Sequence, residues 1–257
     1  MIGLAALFLG TAILYSSVGF GGGSTYTALL VLSGVDYRAI PAISLVCNIL
    51  VVAAGSWRFA RAGHVDWARI WPLLIFSVPM AWLGGTIALD EREFVGLLSL
   101  ALLAAGLAML WQTEPHAASG PVPRGVTWVE PLVGGGLGFL AGLVGLGGGI
   151  FLAPVLHLLR WGGAKAIAGT CALFILVNSI SGLAGQLGKE DGVDRLGMLA
   201  GHWLLFPAVL VGGLIGSGLG SGRLRPAHLR AATALLVLYV AVRLGLRFNE
   251  LRLEGVR

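Results

Sequence analysis

The residues best placed to do chemistry in this chain are glycines. Gly19-Phe20-Gly21-Gly22-Gly23-Ser24 and Gly145-Leu146-Gly147-Gly148-Gly149 each set three consecutive glycines in strongly apolar sequence. Each glycine destabilises a helix by about 1 kcal/mol relative to alanine, so each run predicts a break from which a new helix starts. A helix start leaves backbone N–H groups unpaired, and its dipole adds about half a positive charge beside them. With no side chain in the way, such a place suits an anion. Ser24 adds a hydroxyl donor at the first break; Ile150 holds the comparable place at the second, which predicts an asymmetric site.

Polar residues within the apolar runs are few. Asn48 and Asn178 lie 10 and 13 residues past Arg38 and Lys165, which helix rise converts to roughly 15 to 20 Å into a bilayer. An Asn amide can donate two hydrogen bonds to an oxyanion or simply join two helices. Ser44 and Thr170 lie shallower and are expected to bond back to their own helices. Arg38 and Lys165 read as interfacial anchors that also draw anions inward. His157 is a candidate proton carrier, in one half only because Val31 stands at its counterpart. The candidate substrate-binding set is therefore Gly21, Gly22, Gly23, Ser24, Asn48, Gly147, Gly148, Gly149 and Asn178.

The composition says where these residues must sit. Of 257 residues 57% are hydrophobic and only 11% charged, whereas a water-facing surface needs on the order of 25 to 35% charged residues. A soluble globule is excluded, and the remaining surface must face lipid. The 17 Lys and Arg are scattered singly, which argues against nucleic acid. Cys47 and Cys171 form neither a disulfide framework nor a zinc site. Gly188-Lys189 is followed by Glu190, so no Walker loop is present, and neither glycine run completes a GxGxxG fingerprint. No catalytic set, metal or cofactor is expected.

A helix crosses the roughly 30 Å hydrocarbon core with about 20 apolar residues. Ala39 to Trp57, Ile70 to Leu89, Phe94 to Thr113, Ala166 to Gly188 and Leu196 to Gly222 each fit one crossing, and His228 to Leu246 is a weaker sixth. Met1 to Val35 and Pro131 to Leu159 are uncharged over 35 and 29 residues, too long for one crossing and short of the 40 or so that two would need. Each predicts a pair of short helices joined at the glycines. The rows Gly134, Gly138, Gly142 and Gly212, Gly216, Gly220 have the small-xxx-small spacing of close helix packing.

The chain reads as one unit written twice. The glycine runs are offset by 126 residues, Arg38-Ala39-Ile40 and Lys165-Ala166-Ile167 by 127, and Pro79 with Gly84-Gly85 and Pro207 with Gly212-Gly213 by 128. Residues 1–111 form the first repeat, 112–128 a proline-bearing linker and 129–257 the second, within one membrane domain. Equivalent loops carry opposite charge, since Arg58, Arg61 and Arg69 correspond to Lys189-Glu190-Asp191 to Arg195, and Asp90 to Glu93 correspond to Arg223, Arg225 and Arg230. Because cytoplasmic loops collect Lys and Arg, the expected fold is all-α and polytopic, with two inverted-topology repeats, each of three long helices plus a broken short pair. Inverted repeats with interrupted helices are the signature of secondary transporters, whose site lies at the midplane where the breaks meet.

The paired motifs GFGGGS and GLGGG, each followed about 15 residues later by a basic residue and an Asn-bearing helix, resemble the sulfite exporter TauE/SafE family of membrane permeases along nearly the whole chain. The resemblance implies a bacterial inner-membrane transporter of sulfite, sulfonates or related anions, with Gly21 to Gly23 and Gly147 to Gly149 matching its glycine motifs. The expected partners are a small anionic substrate, the lipid bilayer and, for uphill movement, a coupling ion such as H+, with no nucleic acid. The alternative, an intramembrane enzyme acting on a lipid or isoprenoid, would need a nucleophile, acid-base pair or metal cluster at depth.

Overall fold

A computed structural model of the chain describes residues 1–17, 20–111, 129–159, 161–190, 192–219 and 226–254. The linker 112–128, Gly19, Arg160, Asp191, Gly220, Arg223, Arg225 and Arg257 lie outside the described residues. Those described form eleven helices and no strand: α1 (Ile2–Ser17), α2 (Gly23–Leu32), α3 (Ile40–Arg61), α4 (Trp67–Thr86), α5 (Glu91–Trp111), α6 (Val129–Val144), α7 (Gly149–Leu158), α8 (Ala164–Leu187), α9 (Gly192–Gly201), α10 (Leu205–Leu219) and α11 (Pro226–Glu254).

Local chemistry explains the boundaries. Asp66 caps α4, its carboxylate accepting from Arg69 N at 3.4 Å. Asp90 and Glu93 form a reciprocal capping box at the head of α5, with Glu93 N donating to Asp90 at 2.7 Å and Asp90 N to Glu93 at 3.2 Å. At the ends of the two short helices, Val35 N donates to Leu30 O and Trp161 N to Leu156 O, the same bond at the 126-residue offset. By length and composition α3, α4 and Lys165–Leu187 of α8 can each cross a membrane alone. The pairs α1–α2 and α6–α7, of 16 and 10 residues each, are the short helices that the glycines predict.

One expected crossing differs. The run Leu196 to Gly222 is broken at residues 202–204, and α9 and α10 meet at 68°. Gly201 ends α9 where the first half has Leu73, the His202 ring bonds Met198 O at 2.8 Å, and Pro207 sits in the first turn of α10, where a missing N–H is harmless. The weaker sixth span is longer than its apolar core suggests. α11 runs on to Glu254, and Arg247 there pairs with Glu91 at the head of α5.

The packing repeats between the halves. α1 lies on α10 as α6 lies on α4; α2 touches α3 and α11 as α7 touches α8 and α5; α3 meets α8, and α5 meets α11. Glycine makes the first of these pairs possible. A β-carbon on Gly134, Gly138 or Gly142 would strike the carbonyl of Leu73, Ser77 or Ala81, one turn apart on α4, and one on Gly212 or Gly216 would strike Leu9 or Ile13 of α1. The two glycine rows are packing seams, as their spacing predicts. Large apolar side chains then point outward, among them Ile75 and Phe76 of α4, Leu100 and Leu107 of α5, and Leu214 and Ile215 of α10. Trp57, Trp67 and Trp71 cluster in sequence around the α3–α4 turn and are at least half exposed, the placement of an interfacial aromatic belt.

Two arginines read from sequence as topology markers tie the halves together. Arg69 of α4 donates to Trp161 O at 2.6 Å and lies 4.2 Å from the centre of the Trp161 ring. Arg195 of α9, at the 126-residue offset, donates to Arg38 O at 2.6 Å and to Gln186 Oε1 at 3.0 Å. Gln186 is wholly buried and donates to Gly142 O at 2.8 Å, so one amide links α6, α8 and α9.

The seam gives a direct test. Gly138→Ala drives carbon into the Ser77 backbone and is expected to lower the melting temperature in detergent markedly, as overpacking costs about 1 to 3 kcal/mol or more. Gly136→Ala meets no atom within 4 Å and is expected to leave it unchanged or raise it. Equal melting temperatures for the two variants would show that the seam is not close-packed.

Candidate functional site

The two breaks have matching backbone geometry. Gly22 caps α2 with φ 80° and ψ 11°, and its carbonyl accepts from Thr25 N and Tyr26 N at 3.0 Å. Gly148, with φ 73°, accepts from Phe151 N and Leu152 N at 3.2 and 3.1 Å, the same capping pattern 126 residues on. Left-handed backbone strains an ordinary residue by about 1 to 2 kcal/mol, which is why glycine holds both positions. Beyond the caps, the N–H groups of Gly23 and Ser24 at the head of α2, and of Gly149 and Ile150 at the head of α7, donate to no acceptor among the described residues. Ser24 itself is buried in that first turn.

The breaks meet around one amide. Asn48, from the middle of α3, packs directly on three of the glycines. A β-carbon on Gly23 would lie 2.6 Å from its Nδ2 and 2.5 Å from Leu146 O of the other break; on Gly147, 2.7 Å from Nδ2; on Gly21, 2.9 Å from Oδ1. Ile175 of α8 crowds the same positions, its Cγ2 3.2 Å from that on Gly21 and 3.1 Å from that on Gly147, and its Cδ1 closer still on Gly149. Gly148 faces away from the amide, toward Phe174 and Leu137 O, and Gly22 toward Thr11 and Tyr15.

Every residue of 21–30 and of 141–149 is buried, so the junction lies in the interior of the molecule. Asn48 is 0% exposed, and neither its Nδ2 nor its Oδ1 has a hydrogen-bond partner. A buried polar group left unsatisfied costs about 1 to 3 kcal/mol, and here two such atoms stand beside the free N–H groups of two helix starts. The buried charged side chains among the described residues are Glu130 and Arg195, neither of which belongs to this junction. The junction therefore offers hydrogen-bond donors and dipoles without a formal charge.

Hydroxyls brace it. Ser44 Oγ donates to Gly23 O at 3.3 Å and Thr27 Oγ1 to Ser44 Oγ at 3.1 Å, tying α2 to α3; Tyr15 OH and Thr25 Oγ1 share a bond of 2.9 Å between α1 and α2. Ser44 thus reaches across to α2 instead of bonding back to its own helix, and Thr170 Oγ1 has no partner. Asn178 lies one turn past Ile175 on α8; its Nδ2 donates to Phe174 O at 2.8 Å and its Oδ1 is unpartnered. At the 127-residue offset that relates Arg38 to Lys165, the counterpart of Asn48 is Ile175, and both pack on Gly21 and Gly147. Arg38 and Lys165 are exposed near the heads of α3 and α8, as interfacial anchors would be. His157 lies in α7, with its side chain outside the described residues.

The family model described as sulfite exporter TauE/SafE matches residues 3–244. A probable membrane transporter protein of Sinorhizobium fredii is 34% identical over 95% of this chain and 97% of its own length. Others from Methanocaldococcus jannaschii and Xylella fastidiosa are each 26% identical, covering 85% of both chains and 78% and 77% respectively. No solved structure matches the chain. The chain belongs to the sulfite exporter TauE/SafE family and is an integral membrane transporter.

The unpaired amide makes a stability prediction. Asn48→Leu keeps the heavy-atom count and removes both orphaned atoms, so its melting temperature in detergent is expected to equal or exceed that of the parent. Gly22→Ala, which places a side chain at φ 80°, is expected to lose about 1 to 2 kcal/mol. A strongly destabilised Asn48→Leu protein would mean that the amide is satisfied in the folded state.

Proposed function

We propose that this protein is a secondary permease for small anions such as sulfite or sulfonates, working by alternating access around the junction of its two glycine breaks. The observation that carries the reading is the wholly buried Asn48 amide, unpartnered and pressed against both breaks. A bound oxyanion would accept from Asn48 Nδ2 and from the free N–H groups at the heads of α2 and α7, which converge with both helix dipoles. Gly21, Gly22, Gly23, Ser24, Gly147, Gly148 and Gly149 then let the backbone approach the ligand, and Asn178 supplies a deeper polar position on α8.

Inverted orientation of the halves gives the buried junction two routes of opening, one to each side. The repeated packing of α1 on α10 and α6 on α4 supports that symmetry, and the alternating loop charge supports its inversion. The membrane is the inner membrane of a bacterial cell. A monoanion leaving a negative-inside cell gains about 2.3 kcal/mol per 100 mV, so export needs no motor, and uptake would need a coupling ion such as H+. The transporter names of the family and relatives favour this reading over an intramembrane enzyme.

Purified protein in proteoliposomes is expected to carry sulfite or a sulfonate down its gradient without nucleotide, and Asn48→Leu is expected to abolish that flux. Failure of the parent protein to move any anion in a panel of sulfite, sulfate, thiosulfate and carboxylates would overturn the proposal. Single cysteines placed at Gly63 and at the exposed Val193, in a background lacking Cys47 and Cys171, are expected to label from opposite sides of the membrane. Labelling from one side would refute the inversion.

A further inference from the structure

The junction sets a single amide among apolar side chains. Asn48 of α3 and Ile175 of α8 stand at equivalent places in the two halves, and both pack on Gly21 and Gly147. Val52 Cγ1, one turn past Asn48 on α3, adds a second apolar contact 3.2 Å from the β-position of Gly21, and Ile175 Cδ1 covers Gly149 at the head of α7. A two-fold site would have had an amide from each half.

We propose that Ile175 is the specificity-determining residue, selecting monoanions that carry one face unable to hydrogen-bond; this rests on the anion site proposed above. A fully oxygenated tetrahedral dianion presents hydrogen-bonding oxygens in every direction. With its leading oxygens on Asn48 and the helix starts, another must turn toward the Ile175 methyls and lose its water with nothing in return. An alkylsulfonate turns its methyl group there instead. The absence of a formal charge at the junction acts in the same direction, because neutral donors compensate the dehydration of one charge better than of two.

The test compares uptake of methanesulfonate and sulfate into proteoliposomes by the parent protein, Ile175→Asn, Ile175→Thr, Ile175→Val and Asn48→Leu. Thr matches Val in shape and adds one hydroxyl, so it serves if the Asn variant fails to fold. The parent and Ile175→Val are expected to favour methanesulfonate by on the order of tenfold or more. Ile175→Asn is expected to bring the ratio near parity by raising sulfate uptake, with Ile175→Thr moving it the same way. An unchanged ratio in both polar variants overturns the role of Ile175, while loss of flux in Asn48→Leu leaves the anion site standing. Parental flux in Asn48→Leu overturns the site and this proposal together.

Discussion

A helix interrupted inside a bilayer exposes N–H and C=O groups that lipid cannot satisfy, so the interruption must be buried in protein or must line a polar cavity. Each glycine run of this chain is such an interruption, and the packing around them follows from burying both. The glycine seams of α6 on α4 and α10 on α1 bring backbones into contact, which leaves room for α3 and α8 to meet at the centre. The two breaks then press on one another, Gly23 against the carbonyl of Leu146. The tethers from Arg69 to Trp161 and from Arg195 to Arg38 fix the chain just beyond the short helices, each from the opposite half.

Burial alone does not finish the task, and the remainder is what the proposed anion site rests on. Among the described residues the N–H groups at the heads of α2 and α7 find no acceptor, and both polar atoms of the buried Asn48 stay unpaired. Leucine there would have made a quieter core. An amide kept at such a cost is understandable if a ligand completes its hydrogen bonds for part of a transport cycle and the protein gives up stability for the rest.

Much of this was legible in the sequence because it rests on glycine and on repetition. Consecutive glycines forecast the breaks, glycines four apart forecast the seams, and the 126 to 128 offset paired the elements. What was not legible depended on rotation and reach. Asn178 was matched to Asn48 by depth, yet three residues turn a helix by about 300° and advance it about 4.5 Å; the residue that packs on the same glycines is Ile175, which an apolar run does not advertise. The break between α9 and α10 falls at Gly201 and His202 in place of Leu73 and Leu74, two local differences within an otherwise ordinary span. Arg69 and Arg195 counted as loop charge, because a side chain donating to a carbonyl 92 or 157 residues away leaves no local pattern.

The most direct measurement is to locate an anion in the protein by anomalous diffraction, using selenite as a heavy counterpart of sulfite. The account predicts a selenium peak between the heads of α2 and α7, within hydrogen-bonding distance of Asn48 Nδ2 and the N–H groups of Gly23 and Gly149, and its loss in Asn48→Leu crystals. A selenium peak confined to another part of the molecule, such as the groove between α5 and α11 beside Gly96 and Phe248, with nothing at the glycine junction, would contradict it.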